Sequence, residues 1–250
     1  MIGLLISGLL VIFISIGFIV WTKRKYNYSM RWIWVGGGIW VTGVALKFGF
    51  AIAANEPVLA WLQQILEHPW YLAIGSVYIG ALTGVFEIGI TLLLALLVKK
   101  MSDDPAKAIG IGIGAGAIEA LLIGLSQIGN LVYLMTGGQG MAEIMSSLTQ
   151  TVSLNPLFFL LAPVERVIAI ICHTGSRVLT LYAVAHKNYL YFVVGFLIMT
   201  GIDAVAGFVH LAGLMSQIST WWIELSILPF ALVSIPLIKW CIKRWPQTKV

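Results

Sequence analysis

A chain of 250 residues that is 60% hydrophobic and 10% charged, with a mean hydropathy of +0.97, lies far from the composition of soluble domains. Even a well-folded globule of this length leaves about a quarter of its unfolded-chain surface wet, so this much apolar surface needs lipid as its solvent. The net charge of +5 would suit nucleic acid only if the basic residues shared one soluble face, and their positions exclude that.

Apolar runs of about 20 residues or more, long enough to cross a bilayer at 1.5 Å rise each, occur at 2–21, 32–54, 71–98, 108–135, 157–185, 189–212 and 221–242. They predict an all-α polytopic membrane protein of about seven transmembrane helices, with residues 1–250 forming a single integral membrane domain. The first run has no basic segment before it and is followed by Lys23, Arg24 and Lys25, so it reads as a span rather than a removable signal peptide. Segment 58–70 places Trp61, Leu62, Ile65, Leu66 and Trp70 beside Gln63, Gln64, Glu67 and His68; it reads as a short interfacial amphipathic helix or an aromatic anchor. Cys172 and Cys241 both fall inside apolar runs, which excludes a disulfide framework.

Twelve of the fifteen Lys and Arg lie on one side of these spans: Lys23, Arg24, Lys25 and Arg31, then Lys99, Lys100 and Lys107, then Lys187, then Lys239, Lys243, Arg244 and Lys249. The other side, around 55–70, 136–156 and 213–220, carries only Glu56, Glu67, His68 and Glu143. The positive-inside rule then predicts the N-terminus out and the C-terminus in the cytoplasm, as an odd number of spans requires. A multi-pass protein of the cytoplasmic membrane is expected.

Lys47, Arg166, Arg177, Glu87, Glu119, Glu165, His173 and Asp203 fall within the spans. A charge near the bilayer centre costs at least about 2.5–3.5 kcal/mol, so it is expected to face the bundle interior and find a partner. Lys47, about seven residues from the predicted outer end of its span, is expected to snorkel to the interface; Glu224 and His210, close to the outer boundary, are read the same way. The others lie deeper. Measured from the cytoplasmic helix ends, Glu87 and Glu119 come out about 16 Å deep, His173 about 18 Å and Asp203 about 21 Å. Arg166, His173 and Arg177, spaced by seven and four residues, share one stripe of a helix, with Glu165 about 100° to the side. That stripe lines either a cavity or a buried packing network.

Gly110–Ala120, GIGIGAGAIEA, satisfies G-x-G-x-x-A at Gly112, Gly114 and Ala117, but a dinucleotide fingerprint needs a preceding strand and a βαβ unit. Within a membrane-long apolar run the pairs Gly110/Gly114 and Gly112/Gly116 instead predict close approach of neighbouring helices. Gly80 and Gly84 offer the same just before Glu87. There is no H-E-x-x-H, and His173 is the only deeply placed histidine, so no cofactor is predicted and a dedicated metal site is not indicated, although a metal is not excluded. Ser176 follows His173 by three residues, but a serine-protease reading also needs an oxyanion pocket that the sequence does not show. Gly201-Ile202-Asp203 is not the G-x-G-D of aspartyl intramembrane proteases.

Gly110–Ala120, followed by Ala162-Pro163-Val164-Glu165-Arg166-Val167-Ile168-Ala169 with His173 seven residues after Arg166, resembles the YhfC family of intramembrane peptidases. That family is related to the CAAX-processing and bacteriocin-processing glutamic membrane proteases and is often labelled metalloprotease. The resemblance covers roughly residues 32–212. The family's first element, Phe-Glu-Glu-x-x-Arg, is met by Phe86 and Glu87, but Ile88 and Thr91 stand where its second Glu and its Arg belong. In its second, G-x-G-H-G-x-x-E-A, Glu119 and Ala120 match and Ala115 replaces the His. The third is intact as Glu165, Arg166 and His173; in the fourth Asp203 matches, but the His falls at about Met199 or Thr200.

The resemblance implies a peptidase in which Glu119 or Glu87 activates water against a membrane-embedded or membrane-proximal peptide, with His173 and nearby donors orienting substrate or stabilising the oxyanion. The lost Glu and Arg of the first element predict that Glu87 lacks a paired charge. Two other classes stay open: an inactive pseudo-peptidase that binds a transmembrane segment or a small molecule, and a transporter component. An internal repeat or paired broken helices would mark the last, and the seven spans show neither. The expected partners are the lipid bilayer and a membrane-embedded peptide or protein substrate, with no nucleic acid.

Overall fold

The computed structural model describes residues 2–136, 146, 149 and 152–245. Of the predicted outer connection at 136–156, residues 137–145, 147, 148, 150 and 151 lie outside the described residues, Glu143 among them, as does Lys249. Among the described residues there is no strand, and seven helical segments are long and apolar enough to cross a membrane. They are built from eight α-helices: α1 (Ile2–Tyr26), α2 (Arg31–Ile65), α3 (His68–Thr83), α4 (Ile90–Leu97), α5 (Pro105–Met135), α6 (Leu161–His186), α7 (Leu190–Leu211) and α8 (Trp221–Lys243). A π-helical turn, Gly84–Gly89, joins α3 to α4 within the third span.

Two predicted boundaries are corrected. The second span does not end near residue 54: α2 runs for 35 residues through Pro57 to Ile65, about 52 Å at 1.5 Å per residue. It is therefore longer than the hydrocarbon core is thick, about 30 Å. Segment 58–70 is consequently not a separate interfacial helix, because 58–65 is the last part of α2 and α3 begins at His68. The α5 start follows its sequence closely. Pro105 occupies the first turn, where its missing N–H costs nothing, and the Asp104 carboxylate accepts from Ala106 N at 2.8 Å.

The core sits on α5 and α6. α5 packs against α1, α2 and α6; α6 packs in turn against α7 and α8; and α3 packs against α7. The two glycine pairs of α5 face different neighbours. A β-carbon at Gly114 would collide with the Ile33 carbonyl of α2, whereas one at Gly112 would lie 2.7 Å from Thr174 Cα, and one at Gly116 2.8 Å from Ile170 Cα, both on α6. Their absence lets α5 lie backbone to backbone with both helices at once.

α6 is the most enclosed of the described spans. Its hydroxyls bond within the helix, Thr174 to the Ile170 carbonyl at 2.7 Å, Ser176 to that of His173 at 3.2 Å and Thr180 to that of Ser176 at 2.8 Å. Its charged groups pair both within the helix and with other helices. Cys172 and Cys241 are separate buried thiols.

Candidate active site

Glu87, Glu119 and His173 meet although they stand on three different spans. His173 Nε2 is 2.7 Å from Glu119 Oε2, and Nδ1 is 3.8 Å from Glu87 Oε2. Each is placed by a distinct local device. Glu87 lies in the π turn, a widened helical turn of the kind that often marks functional sites. The turn is pressed against α2, since a β-carbon at Gly43 would be 2.7 Å from the Phe86 carbonyl oxygen. Glu119 follows the close-packed glycines of α5, and His173 belongs to the Gly116 contact on α6, its Cβ 3.1 Å from where a β-carbon at Gly116 would sit.

Three cations join the acids. Arg166 Nη1 donates to Glu119 Oε1 at 2.8 Å, and its Nε and Nη2 both donate to Glu165. Arg177, fully buried, places Nη2 3.3 Å from Glu87 Oε2 and Nη1 2.7 Å from His173 Nδ1. Lys47 Nζ lies 3.1 Å from Thr83 Oγ1, 3.5 Å from Glu87 Oε1 and 3.4 Å from Asp203 Oδ2, and Thr83 Oγ1 also donates to Asp203. All six predicted site residues therefore belong to one network, with Asp203 joined through Lys47 and Glu165 through Arg166. The polar stripe of α6 pairs within the helix, Arg166 with Glu165 and Arg177 with His173, and its charges also reach α5 and the third span.

The chemistry of the partners fixes the His173 tautomer. A guanidinium can only donate, so Nδ1 accepts from Arg177 and the ring proton is on Nε2, toward Glu119. Nε2 lies 2.7 Å from Glu119 Oε2, which is buried and makes no regular hydrogen bond among the described groups.

Three expectations are overturned. Lys47 does not snorkel: α2 continues well past it, so its ammonium is too far from the helix end to reach water and turns to the acids instead. Glu87 does not lack paired charge, because Arg177 and Lys47 supply from α6 and α2 what Thr91 does not. Thr91 Oγ1 donates to the Glu87 carbonyl oxygen at 2.7 Å instead. Glu224 does not reach the interface either; it is buried, and its Oε2 has no hydrogen-bond partner among the described groups. His210 is exposed. The Ser176 hydroxyl is fully buried and spent on the His173 carbonyl, so it offers no nucleophile.

A cavity of about 370 Å³ runs alongside the network, lined by Lys47, Thr83, Glu87, Glu119, His173, Met199 and Asp203. Its wall continues over Phe48 and Leu122, which are 63% and 48% exposed on the outside of the bundle, so it reaches the lipid-facing surface between α2 and α5. A larger groove of about 630 Å³ between α1, α6 and α8 is walled almost wholly by apolar side chains, Glu224 apart. It carries no comparable constellation.

Residues 10–226 match the YhfC intramembrane metalloprotease family. The chain belongs to this family. It is also 28% identical over 252 residues to the uncharacterized membrane protein YhfC of Bacillus subtilis strain 168, a match that covers 88% of this chain and 93% of that relative. No solved structure matches the chain. The seven spans and the YhfC relative agree on a multi-pass membrane protein.

The family's description implies a metal, which the donor set can test. Among the described residues no three His, Cys, Asp or Glu side chains are grouped so as to hold an ion. Neither His173 nitrogen offers a free lone pair, since Nδ1 accepts from Arg177 and Nε2 carries the ring proton, whereas a metal needs one. Four carboxylates face three cations, and a divalent ion would have to displace Arg177 or Lys47 from the oxygens it would use. These residues do not fit a metal site as they are arranged.

Proposed function

We propose that this YhfC-family protein is an intramembrane peptidase of the cell membrane, with its N-terminus out, in which Glu119 activates water against a peptide bond presented from the bilayer. The reading rests above all on one observation: Glu119 and His173 are in contact within the bundle, on the wall of a cavity that reaches lipid. A lipid-facing mouth suits a substrate that is itself in the membrane.

In this mechanism Glu119 takes a proton from water as the water oxygen attacks the carbonyl carbon, and the π electron pair moves onto the carbonyl oxygen. The tetrahedral intermediate then collapses. The carbonyl re-forms, the C–N bond breaks, and the departing amine takes the proton back from Glu119. Arg166 holds Glu119 Oε1, and His173 Nε2 stands 2.7 Å from the other oxygen, the one that takes the proton. Arg177 fixes the His173 tautomer from behind, while Glu165 anchors Arg166. Glu87 and Asp203 hold the cations Arg177 and Lys47 in place.

The test compares the termini of membrane proteins in cells carrying wild type, Glu119→Gln or no chain. New termini in or beside a transmembrane segment are expected with wild type alone. Identical termini in all three, with the protein well expressed, would sink the peptidase reading in favour of a binding role in the same cavity.

A further inference from the structure

We propose that Lys47 is a catalytic residue, the donor that receives the negative charge on the carbonyl oxygen during attack. This role rests on the peptidase reading and adds a residue to it. Three cations surround the site, but they are not equally available. Arg177 has a fully enclosed side chain and is committed to Glu87 and His173; Arg166 is 9% exposed and clamped between Glu119 and Glu165. Lys47 is 22% exposed and lines the cavity directly. Trp40 and Ser126 also line the cavity with neutral N–H and O–H donors, but Lys47 is the one Lys or Arg among the described residues on its wall.

The contacts of Lys47 are those of a shared group. Its two carboxylate distances, 3.5 and 3.4 Å, are well beyond the roughly 2.7–2.9 Å of a strong charge-assisted hydrogen bond. Its acceptors come from three elements: Thr83 ends α3, Glu87 lies in the π turn and Asp203 is on α7. The ammonium is thus centred by several weak holds and saturated by none. On a flexible stem with three rotatable donors, it can turn one N–H to an oxygen in the cavity while Thr83 and a carboxylate keep it in place. Oxyanion donors act in this way, placed in advance about 2.7–3.1 Å from where charge develops rather than recruited by it. Glu119 shares the wall, so base and donor would flank the same carbonyl.

The step balances without any added group. Water supplies the oxygen and the proton that Glu119 takes; the carbonyl π pair becomes the oxyanion lone pair facing Lys47; and collapse returns both. Lys47 keeps its proton throughout.

The experiment measures binding of two matched apolar peptides to protein in nanodiscs, with a chelator present. One carries a phosphinate as a tetrahedral, anionic mimic and the other an ordinary amide. Wild type is expected to prefer the phosphinate at least tenfold, and Lys47→Gln to lose most of that preference while binding the amide unchanged. Loss of one such donor lowers kcat about 10²–10³-fold, so peptide cleavage should fall through kcat with little change in KM. Lys47→Arg keeps the charge and the fold with a displaced donor, and should retain an intermediate preference should Lys47→Gln fail to fold. Full preference in both variants would overturn the role of Lys47 and leave the peptidase reading standing. No preference in wild type would remove both together.

Discussion

Arg177 allows the charge network to be weighed. Its side chain is fully enclosed and its Nη2 lies 3.3 Å from Glu87 Oε2, a Coulomb attraction of about 5 kcal/mol at an effective dielectric of about 20. Arg177→Met leaves Glu87 buried with one cation in place of two. Breaking a buried pair from one side typically costs about 3–5 kcal/mol. Lys47 remains 3.5 Å from the same carboxylate, so the lower end, about 3 kcal/mol, is the expected loss. At about 2–4 °C per kcal/mol for a chain near this size, the thermal midpoint in detergent should fall by about 6–12 °C. The decisive sample is Glu87→Gln/Arg177→Met. Removing both partners leaves no stranded charge, so the double variant should be more stable than the sum of the single losses predicts, with a coupling of at least about 1.5 kcal/mol. Thermal unfolding followed by intrinsic tryptophan fluorescence measures all four proteins. Strict additivity, within about 0.5 kcal/mol, would refute the view that Arg177 and Glu87 neutralise one another.

Two further outcomes test the packing and the chemistry. Gly114→Val should displace α2 from α5 at Ile33 and cost about 1–3 kcal/mol or more, seen as a lower melting temperature and poor yield, whereas Gly129→Val, where a β-carbon meets nothing within 4 Å, should be near neutral in the same assay. If the donor set acts without a metal, cleavage by the purified protein should survive prolonged dialysis against a strong chelator; loss of activity restored by a divalent ion would show that the carboxylates rearrange to bind one.

The spans were legible because lipid imposes long apolar runs, and the depth of the site because rise per residue is constant. Glu87, Glu119 and His173 could be placed in one layer by counting from helix ends, and the structure brings them into contact. Lys47 was misread by the same arithmetic. Its depth was counted from an end near residue 54, whereas α2 runs to Ile65, with Pro57 inside the helix rather than at its boundary. A proline within an apolar helix gives no reliable stop, since neighbouring helices can compensate for the lost hydrogen bond. Arg177 was seen on the polar stripe of α6, but its partner is 90 positions away, and no local pattern carries such a pairing. The replacement of a lost local charge by one from another helix is legible only in three dimensions. Glu224 was misjudged because closeness to a helix end says nothing about which way a side chain faces.

The π turn at Gly84–Gly89 makes the number of residues in the third span as consequential as their identity. It holds one residue more than an α-helical turn would, and deletion anywhere within it would restore regular winding. Everything from Ile90 onward would then rotate by about 100° relative to α3. Thr91 and Ala95, now sealed inside the bundle, would swing toward the acyl chains, and Glu87 would be drawn away from Arg177. Point changes in this stretch alter one contact at a time, whereas loss of a single codon would dismantle the constellation and leave a perfectly good membrane span. The segment should therefore hold its length across descendants even where its side chains drift.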